Sequence, residues 1–234
     1  MAKASPDLLQ EQIGYQFRNP QWLLEALTHS SFAREAGAHR DNEQLEFLGD
    51  AVLNFLVSVR LADAFPAYPE GKLSRGRSRL VAAEHLSRVA LRLELGNYLR
   101  LGRGEEKTGG RVKLSLMVNA LEALVAAIYR DGGIRAARTF VHRFILPRDL
   151  EGVAGDLFTI DYKSALQEYL QAERLGPAAY RVASEAGPEH RKIFTVEAMA
   201  GPNGRARGSG NSKKMAEQQA ARALLEHLRK ENHA

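Results

Sequence analysis

Apolar residues recur at helical spacing along the N-terminal part of the chain. Leu23, Leu24 and Leu27 form one group, and Leu45, Leu48, Val52, Leu53 and Leu56 a second. Leu86, Val89, Ala90 and Leu93 form a third, and Leu121, Leu124, Val125 and Ile128 a fourth. Steps of three and four residues return to one face of an α-helix, so the pattern predicts a mainly helical region from Asp7 to about Phe144. Interruptions fall at residues 65–71, 102–110 and 131–133, where turn formers coincide with loss of periodicity. After Pro147 the pattern weakens, and residues 148–159 read as a linker. A different order then begins. Asp161 is placed to cap a helix through Leu166 and Leu170, residues 179–183 and 193–198 alternate as strands do, and residues 201–210 predict a turn with a short third strand. A closing helix over 213–228 carries Met215, Ala220, Ala223, Leu224 and Leu228 on its apolar face. The expected fold class is therefore multidomain α and α+β. An all-helical domain over 1–148 is followed by a linker over 149–159 and an αβββα domain over 160–230.

Composition narrows the chemistry. The chain has 234 residues and no cysteine, which excludes disulfides and thiolate metal sites and leaves carboxylates and His as strong metal ligands. Lys and Arg number 33 against 28 Asp and Glu, a net +5, which permits a polyanionic partner without demonstrating one. No stretch approaches the roughly 20 apolar residues of a membrane span, and the first residues lack the apolar run of a secretion signal. The expectation is a cytoplasmic protein with no membrane partner.

The densest chemical signal is Asn42-Glu-Gln-Leu-Glu-Phe-Leu-Gly-Asp50. On a helix Glu43, Glu46 and Asp50 fall within about 60° of one another, at ~100° per residue. Leu45, Phe47, Leu48, Val52 and Leu53 surround them, so the acids lie beside a core, where like charges repel unless protonated or neutralised by a cation. Oxygen-only ligation favours Mg²⁺ or Mn²⁺ over Zn²⁺. A solvated acidic face is the plainer alternative. Gly49 argues against it, because glycine costs roughly 1 kcal/mol inside a helix and often marks the close approach of another group.

The run from Asn42 to Asp50, continued by Ala51-Val-Leu53, resembles the signature of the ribonuclease III family, departing mainly at Gln44, where that family usually carries Arg. Thr28-His-Ser-Ser31, Pro69-Glu-Gly71, Asn119-Ala-Leu-Glu-Ala-Leu124 and Asp131-Gly-Gly133 extend the likeness along the chain. The resemblance implies a Mg²⁺-dependent endonuclease for double-stranded RNA, with Mn²⁺ able to substitute and no small-molecule cofactor. Glu46, Asp50, Asn119 and Glu122 would bind the metal, Asp50 and Glu122 being the essential catalytic pair. Glu43 and Glu70 would take secondary roles near the cleavage groove. Products would carry 5′-phosphate and 3′-hydroxyl ends with short 3′ overhangs, from substrates such as ribosomal RNA precursors and structured mRNAs.

Position 119 departs from the family, which usually has Asp there. Asn keeps an oxygen for coordination but removes a charge, so metal affinity should fall. The alternative is a catalytically weak or inactive regulator that binds duplex RNA. Phe47 also has two readings. Its helix is apolar on that side, which suits a core aromatic, whereas the resemblance implies a contact with the partner subunit of a homodimer. His29 and His85 carry no metal role, and the basic run Lys72, Arg75, Arg77 and Arg79 suits a solvated face as well as a phosphate contact.

The αβββα segment resembles a double-stranded RNA-binding domain, most clearly in Gly208-Ser-Gly-Asn-Ser-Lys-Lys-Met-Ala-Glu-Gln-Gln-Ala-Ala221. Lys213 and Lys214 open a helix whose positive end and N–H groups suit phosphates. The resemblance implies further RNA contacts from Gln167, Glu168 and His190, reading A-form shape rather than sequence.

Overall fold

The computed structural model describes residues 4–37, 40–158, 162–188, 192–201 and 204–231. The chain divides into two compact units, residues 1–158 and 159–234. The first unit is helical: α1 (Pro6–Ile13), α2 (Pro20–Ala26), α3 (Ser30–Ala36), α4 (Glu43–Ala64), α5 (Glu70–Leu80), α6 (Ala83–Arg92), α7 (Arg103–Lys107), α8 (Leu114–Phe140) and α9 (Ala154–Leu157). Local chemistry sets several boundaries. Ser5 caps α1 by accepting from the Asp7 N–H, and Gly14 ends it in the left-handed conformation. Asn19 caps α2 ahead of Pro20.

Helix α8 is the axle of this unit. Ala120, Leu121, Ala123, Leu124, Val125, Ala126, Ala127 and Ile128 are all fully buried, so it is apolar on every side but the one carrying Asn119 and Glu122, and α2, α4 and α6 pack about it. The interruption expected at 131–133 is a kink at Gly133 (φ 73°), after which the helix resumes to Phe140. Asp131, just before it, holds the loop between α1 and α2. Its carboxylate accepts from the Tyr15 hydroxyl at 2.8 Å and from the Arg18 and Asn19 N–H groups at 2.9 Å.

Helices α4 and α8 cross most closely at Gly49, where a Cβ would overlap the backbone carbonyl of Glu122. The glycine thus sits where two backbones touch, and it lies between Glu46 and Asp50 in sequence. This explains a residue that is otherwise costly in a helix interior.

Residues 149–158 differ from the expected linker. Leu150, Leu157 and Phe158 are buried in the first unit's core. Phe158 packs edge-on against Phe65 and Tyr68 at 4.9 and 5.1 Å, and its ring fills the space a side chain at Gly76 would need. The segment's apolar residues are too few for a periodic signal, so only the tertiary structure reveals that it docks.

The second unit runs α10 (Tyr162–Ala172), β1 (Ala179–Ala186), β2 (Ile193–Ala200), β3 (Gly204–Gly210) and α11 (Lys213–Glu231). The sheet is antiparallel in the order β1-β2-β3, with Val182 opposite Val196, Phe194 opposite Gly210 and a register shift between Val182 and Ser184. Leu166 and Leu170 of α10, Val196, Ala198 and Ala200 of β2, and Ala216, Ala220, Ala221 and Leu224 of α11 form its core. The stretch expected as a turn with a short strand is a seven-residue strand. Its alternation is hidden because Gly204, Gly208 and Gly210 occupy the inner face, where α11 and the strand's own neighbours lie too close for a Cβ. On the other face Glu197 bridges Arg181 at 2.9 Å and Arg207 at 3.1 Å. The predicted cap at Asp161 falls outside the described residues.

Replacing Gly49 by Ala should destabilise the first unit by about 1–3 kcal/mol, because overlap with a backbone outweighs the gain of up to ~1 kcal/mol in helix propensity. Urea or thermal unfolding of the variant measures it. An equal or higher stability would show that α4 and α8 do not approach as described.

Candidate active site

The crossing of α4 and α8 gathers charges from both helices. Glu46 and Asp50 come from α4, and Asn119 and Glu122 from α8, where three residues place them on one face. Glu46, Asn119 and Glu122 are half-buried and Asp50 is exposed. Burial pushes the Glu122 carboxyl up to about 7, with the negative charges of Asp50 and Glu46 adding to the rise. Burial also raises Glu46, aided by the charge of Glu43, while a hydrogen bond from the Asn119 side chain pulls the other way. Asp50 Oδ1 accepts from the Asn54 side-chain amide at 2.8 Å.

An open recess of about 400 Å³ lies beside these groups, lined by His29, Asn42, Glu43, Glu46, Phe47 and Asn119. Asn42, at the start of α4, is buried. Its N–H donates to the Thr28 carbonyl at 2.9 Å, tying the helix to the segment before α3. His29 caps α3, its Nδ1 accepting from the Ser31 N–H at 3.2 Å. Nothing along the chain pointed to His29 on this wall, because its neighbours there come from residues 42–47 and 119.

The donor set suits a hard divalent cation. It consists of carboxylate and amide oxygens, and Glu122, raised by burial and then by the charges of Asp50 and Glu46, is a group whose ionised form a cation would favour. Among the described residues no three His, Asp or Glu side chains close into a cage. Mg²⁺ usually keeps several waters and takes one or two carboxylates rather than a complete protein cage, so an open arrangement fits it.

The other expected site residues divide between the rim of this recess, where Glu43 stands, and more distant positions. Glu43 is exposed in the first turn of α4. Glu70 is exposed in the first turn of α5, where its Oε1 accepts from the Ser74 hydroxyl at 2.6 Å. The fourteen residues from Asp50 to the end of α4 rise about 21 Å, so Glu70 lies apart from the acid cluster of its own chain. Phe47 is 82% exposed, which overturns its reading as a core aromatic. It points about 200° round the helix from buried Leu45, at ~100° per residue.

In the second unit Gln167 and Glu168 are exposed on α10, opposite buried Leu166 and Leu170. Lys213 and Lys214 are exposed in the first turn of α11, with the Lys213 ammonium 3.2 Å from Glu185 of β1. Ser212 stabilises that turn by accepting from the Met215 N–H at 3.2 Å. His190 lies outside the described residues.

Comparison with known proteins agrees with this architecture. A family model described as "Ribonuclease-III-like" matches residues 19–149, and one described as "Double-stranded RNA binding motif" matches 162–228. The chain is 49% identical to "Ribonuclease 3" of Solibacter usitatus, over 97% of this chain and 88% of that protein. It is 46% identical to "Ribonuclease 3" of Geobacter sulfurreducens, over 96% of this chain and 91% of that one. The solved nuclease domain of ribonuclease III from Campylobacter jejuni superposes with a TM-score of 0.57 at 37% identity, covering 60% of this chain and 96% of that domain. With a helical unit that sets carboxylates across one helix crossing and an αβββα unit matching an RNA-binding motif, the chain belongs to the ribonuclease III family of endoribonucleases.

Proposed function

We propose that the chain hydrolyses double-stranded RNA with Mg²⁺ at the α4–α8 crossing, Asp50 and Glu122 being the essential pair and Glu46 and Asn119 further metal ligands. The observation that carries this reading is the convergence of Glu46, Asp50 and Glu122 at one helix crossing, where burial first and the charges of Asp50 and Glu46 second hold the Glu122 carboxyl at about 7. Mn²⁺ can take the place of Mg²⁺, both being hard cations with a preference for oxygen. The bound metal supplies an activated water and charge neutralisation for in-line attack on a phosphodiester. Attack on phosphorus with departure of the 3′ oxygen leaves 5′-phosphate and 3′-hydroxyl ends. Glu122 must shed its proton to act as a ligand, and Asn119 orients Glu46 through its amide. Glu43, at the rim, and Glu70 take secondary roles.

The second unit delivers the duplex. Lys213 and Lys214 at the start of α11 meet phosphates across the major groove, while Gln167, Glu168 and His190 reach the minor grooves, where 2′-hydroxyls mark RNA. Recognition by shape suits ribosomal RNA precursors and structured mRNAs in the cytoplasm. Among the described residues no helix is long and apolar enough to cross a membrane.

Two strands require two sites, and a homodimer provides them. Phe47, Ala51 and Phe55 form an exposed apolar row at i, i+4 and i+8 on α4, and a recess lined by Glu43, Gln44, Leu48 and Arg130 adjoins Phe47. A twofold axis sets such a patch against its copy, knob beside hole. The Campylobacter jejuni nuclease domain is itself described as having a region involved in dimer formation.

Incubation with labelled duplex RNA across a Mg²⁺ series tests the reading, fragments with 5′-phosphate ends being the expected product. A gel shift without fragments at every Mg²⁺ concentration would favour a non-cleaving RNA binder. Asp50→Asn and Glu122→Gln should each slow cleavage by about 10²–10³-fold or more, the scale of losing one electrostatic contact to the transition state. Binding of RNA should barely change in either, and near wild-type cleavage in one would remove it from the metal site.

Asn119→Asp should lower the Mg²⁺ needed for half-maximal cleavage, since an added carboxylate strengthens attraction for a dication. The same change replaces a hydrogen bond to Glu46 with repulsion, so the metal-free variant should melt earlier than wild type. A Mg²⁺ curve that stays put or moves to higher concentration would show that position 119 does not touch the metal.

The Glu122 shift also fixes a pH dependence. Its folded pKa, about 7, exceeds the ordinary value of 4.5, so the folded state binds the proton more tightly than the unfolded one. Stability from this group is therefore full below about 4.5 and is lost as pH rises towards about 7. Metal-free protein should melt roughly 2–4 °C lower at neutral than at mildly acidic pH, about the effect of 1 kcal/mol in a domain of this size. Glu122→Gln should flatten that slope, and Mg²⁺ should raise the melting temperature more at neutral pH. A slope unchanged in the variant would assign it to other groups.

A further inference from the structure

One face of α4 carries a polar row that the proposed reaction leaves unused beyond its first member. Asp50, Asn54 and Ser58 stand one turn apart and share that face. The Asn54 amide donates both to Asp50 Oδ1 at 2.8 Å and to the Asp50 carbonyl at 2.9 Å. The Ser58 hydroxyl donates to the Asn54 carbonyl at 2.7 Å, and Arg77 of α5 donates from Nη1 to Ser58 Oγ at 3.2 Å. The row thus runs without a break from a catalytic acid on one helix to a guanidinium on the next.

Arg77 has an unusual setting. It is half-buried, and among the described residues no carboxylate pairs with it. Guanidinium groups removed from bulk water usually meet a carboxylate or a phosphate, whose geometry matches their fork of N–H donors. A single serine hydroxyl uses one of five donors. Glu70, the acid in the first turn of α5, is engaged by Ser74 at the other end of that helix.

We propose that this face of α4, closed by Arg77, is a track for one strand of the RNA duplex, in which Asn54 positions the Asp50 carboxylate and Arg77 binds a phosphate of that strand. The eight residues from Asp50 to Ser58 rise about 12 Å, so the phosphate lies beyond the one being cut. The proposal rests on the reading of Asp50 as a metal ligand. Asn54 occupies a lone pair of Oδ1 and restricts the rotamer of Asp50 against the charge of Glu122, which leaves Oδ2 open to a cation. Hydrogen bonds of this kind to ligating carboxylates typically contribute 10–100-fold in metal affinity. Ser58 restricts the Arg77 guanidinium before RNA arrives, which lowers the entropy lost on binding. A purely structural Arg77, stapling α5 to α4, would affect melting but not the ionic character of RNA binding.

The test uses the full chain. Binding of labelled duplex RNA to metal-free protein is measured over a salt series, and the slope of log affinity against log salt is compared. Arg77→Gln should weaken binding and reduce the slope by about one, the value for one phosphate contact, and Arg77→Lys should restore the slope. Ser58→Ala should weaken binding with the slope retained, since the charge remains. Asn54→Ala should raise by about 10–100-fold the Mg²⁺ needed both for half-maximal cleavage and for half of the Mg²⁺-induced rise in melting temperature, the second readout requiring no turnover. Should Arg77→Gln fail to fold, Arg77→Met, which keeps the apolar stem and removes the charge, provides the same comparison. An unchanged slope in the folded charge-free variant overturns the phosphate contact. Unaltered Mg²⁺ curves in Asn54→Ala overturn the positioning role. Wild-type protein that cuts no duplex at any Mg²⁺ concentration would instead overturn the catalytic reading beneath it, a result distinct from either.

Discussion

The close contact between α4 and α8 at Gly49 governs the rest of the first unit. Only a residue without a side chain lets the Glu122 carbonyl approach that point of α4. The consequence is electrostatic as much as steric. Two helices that cross this closely carry Glu46 and Asp50 on one and Asn119 and Glu122 on the other, so the acids cannot relax away from one another without parting the helices. Burial in the apolar packing around α8, with the charges of Asp50 and Glu46 adding to it, is what elevates the Glu122 carboxyl.

That packing is close around the crossing. Buried alanines at 120, 123, 126 and 127 keep α8 slim enough for three helices to surround it, and Asp131 and Gly133 end its first stretch where the α1–α2 loop is pinned. Asn42 and Thr28 tie the start of α4 to the same framework. On the proposed reading of these residues as metal ligands, a bound cation would offset the like charges gathered at the crossing, which would link metal affinity to stability.

The second unit uses the same device for another purpose. Gly204, Gly208 and Gly210 let α11 lie against β3, and that contact fixes where the first turn of α11, with Lys213 and Lys214, stands relative to the sheet. In both units glycine sets a helix at a distance that a side chain would forbid, and charged groups are displayed beside the contact.

The sequence by itself determined the mainly helical character of the first unit, the two-unit organisation, the αβββα order of the second unit and the shared face of the acids on α4. These follow from periodicity and from residue types whose spacing places them on one helical face, information that is local along the chain. The signature around Gly49 also identified the family, and the cost of a mid-helix glycine pointed to a close neighbour without naming it. The tertiary structure alone decided that the neighbour is Glu122, that Phe47 faces outward, that residues 149–158 dock through Phe158, and that the glycines near 208 lie in a strand. It likewise brought His29 to the acidic recess and Arg77 to Ser58. Each of these depends on which faces meet across long separations in sequence, and hydrophobic periodicity gives the phase of a helix but not the partner that covers it.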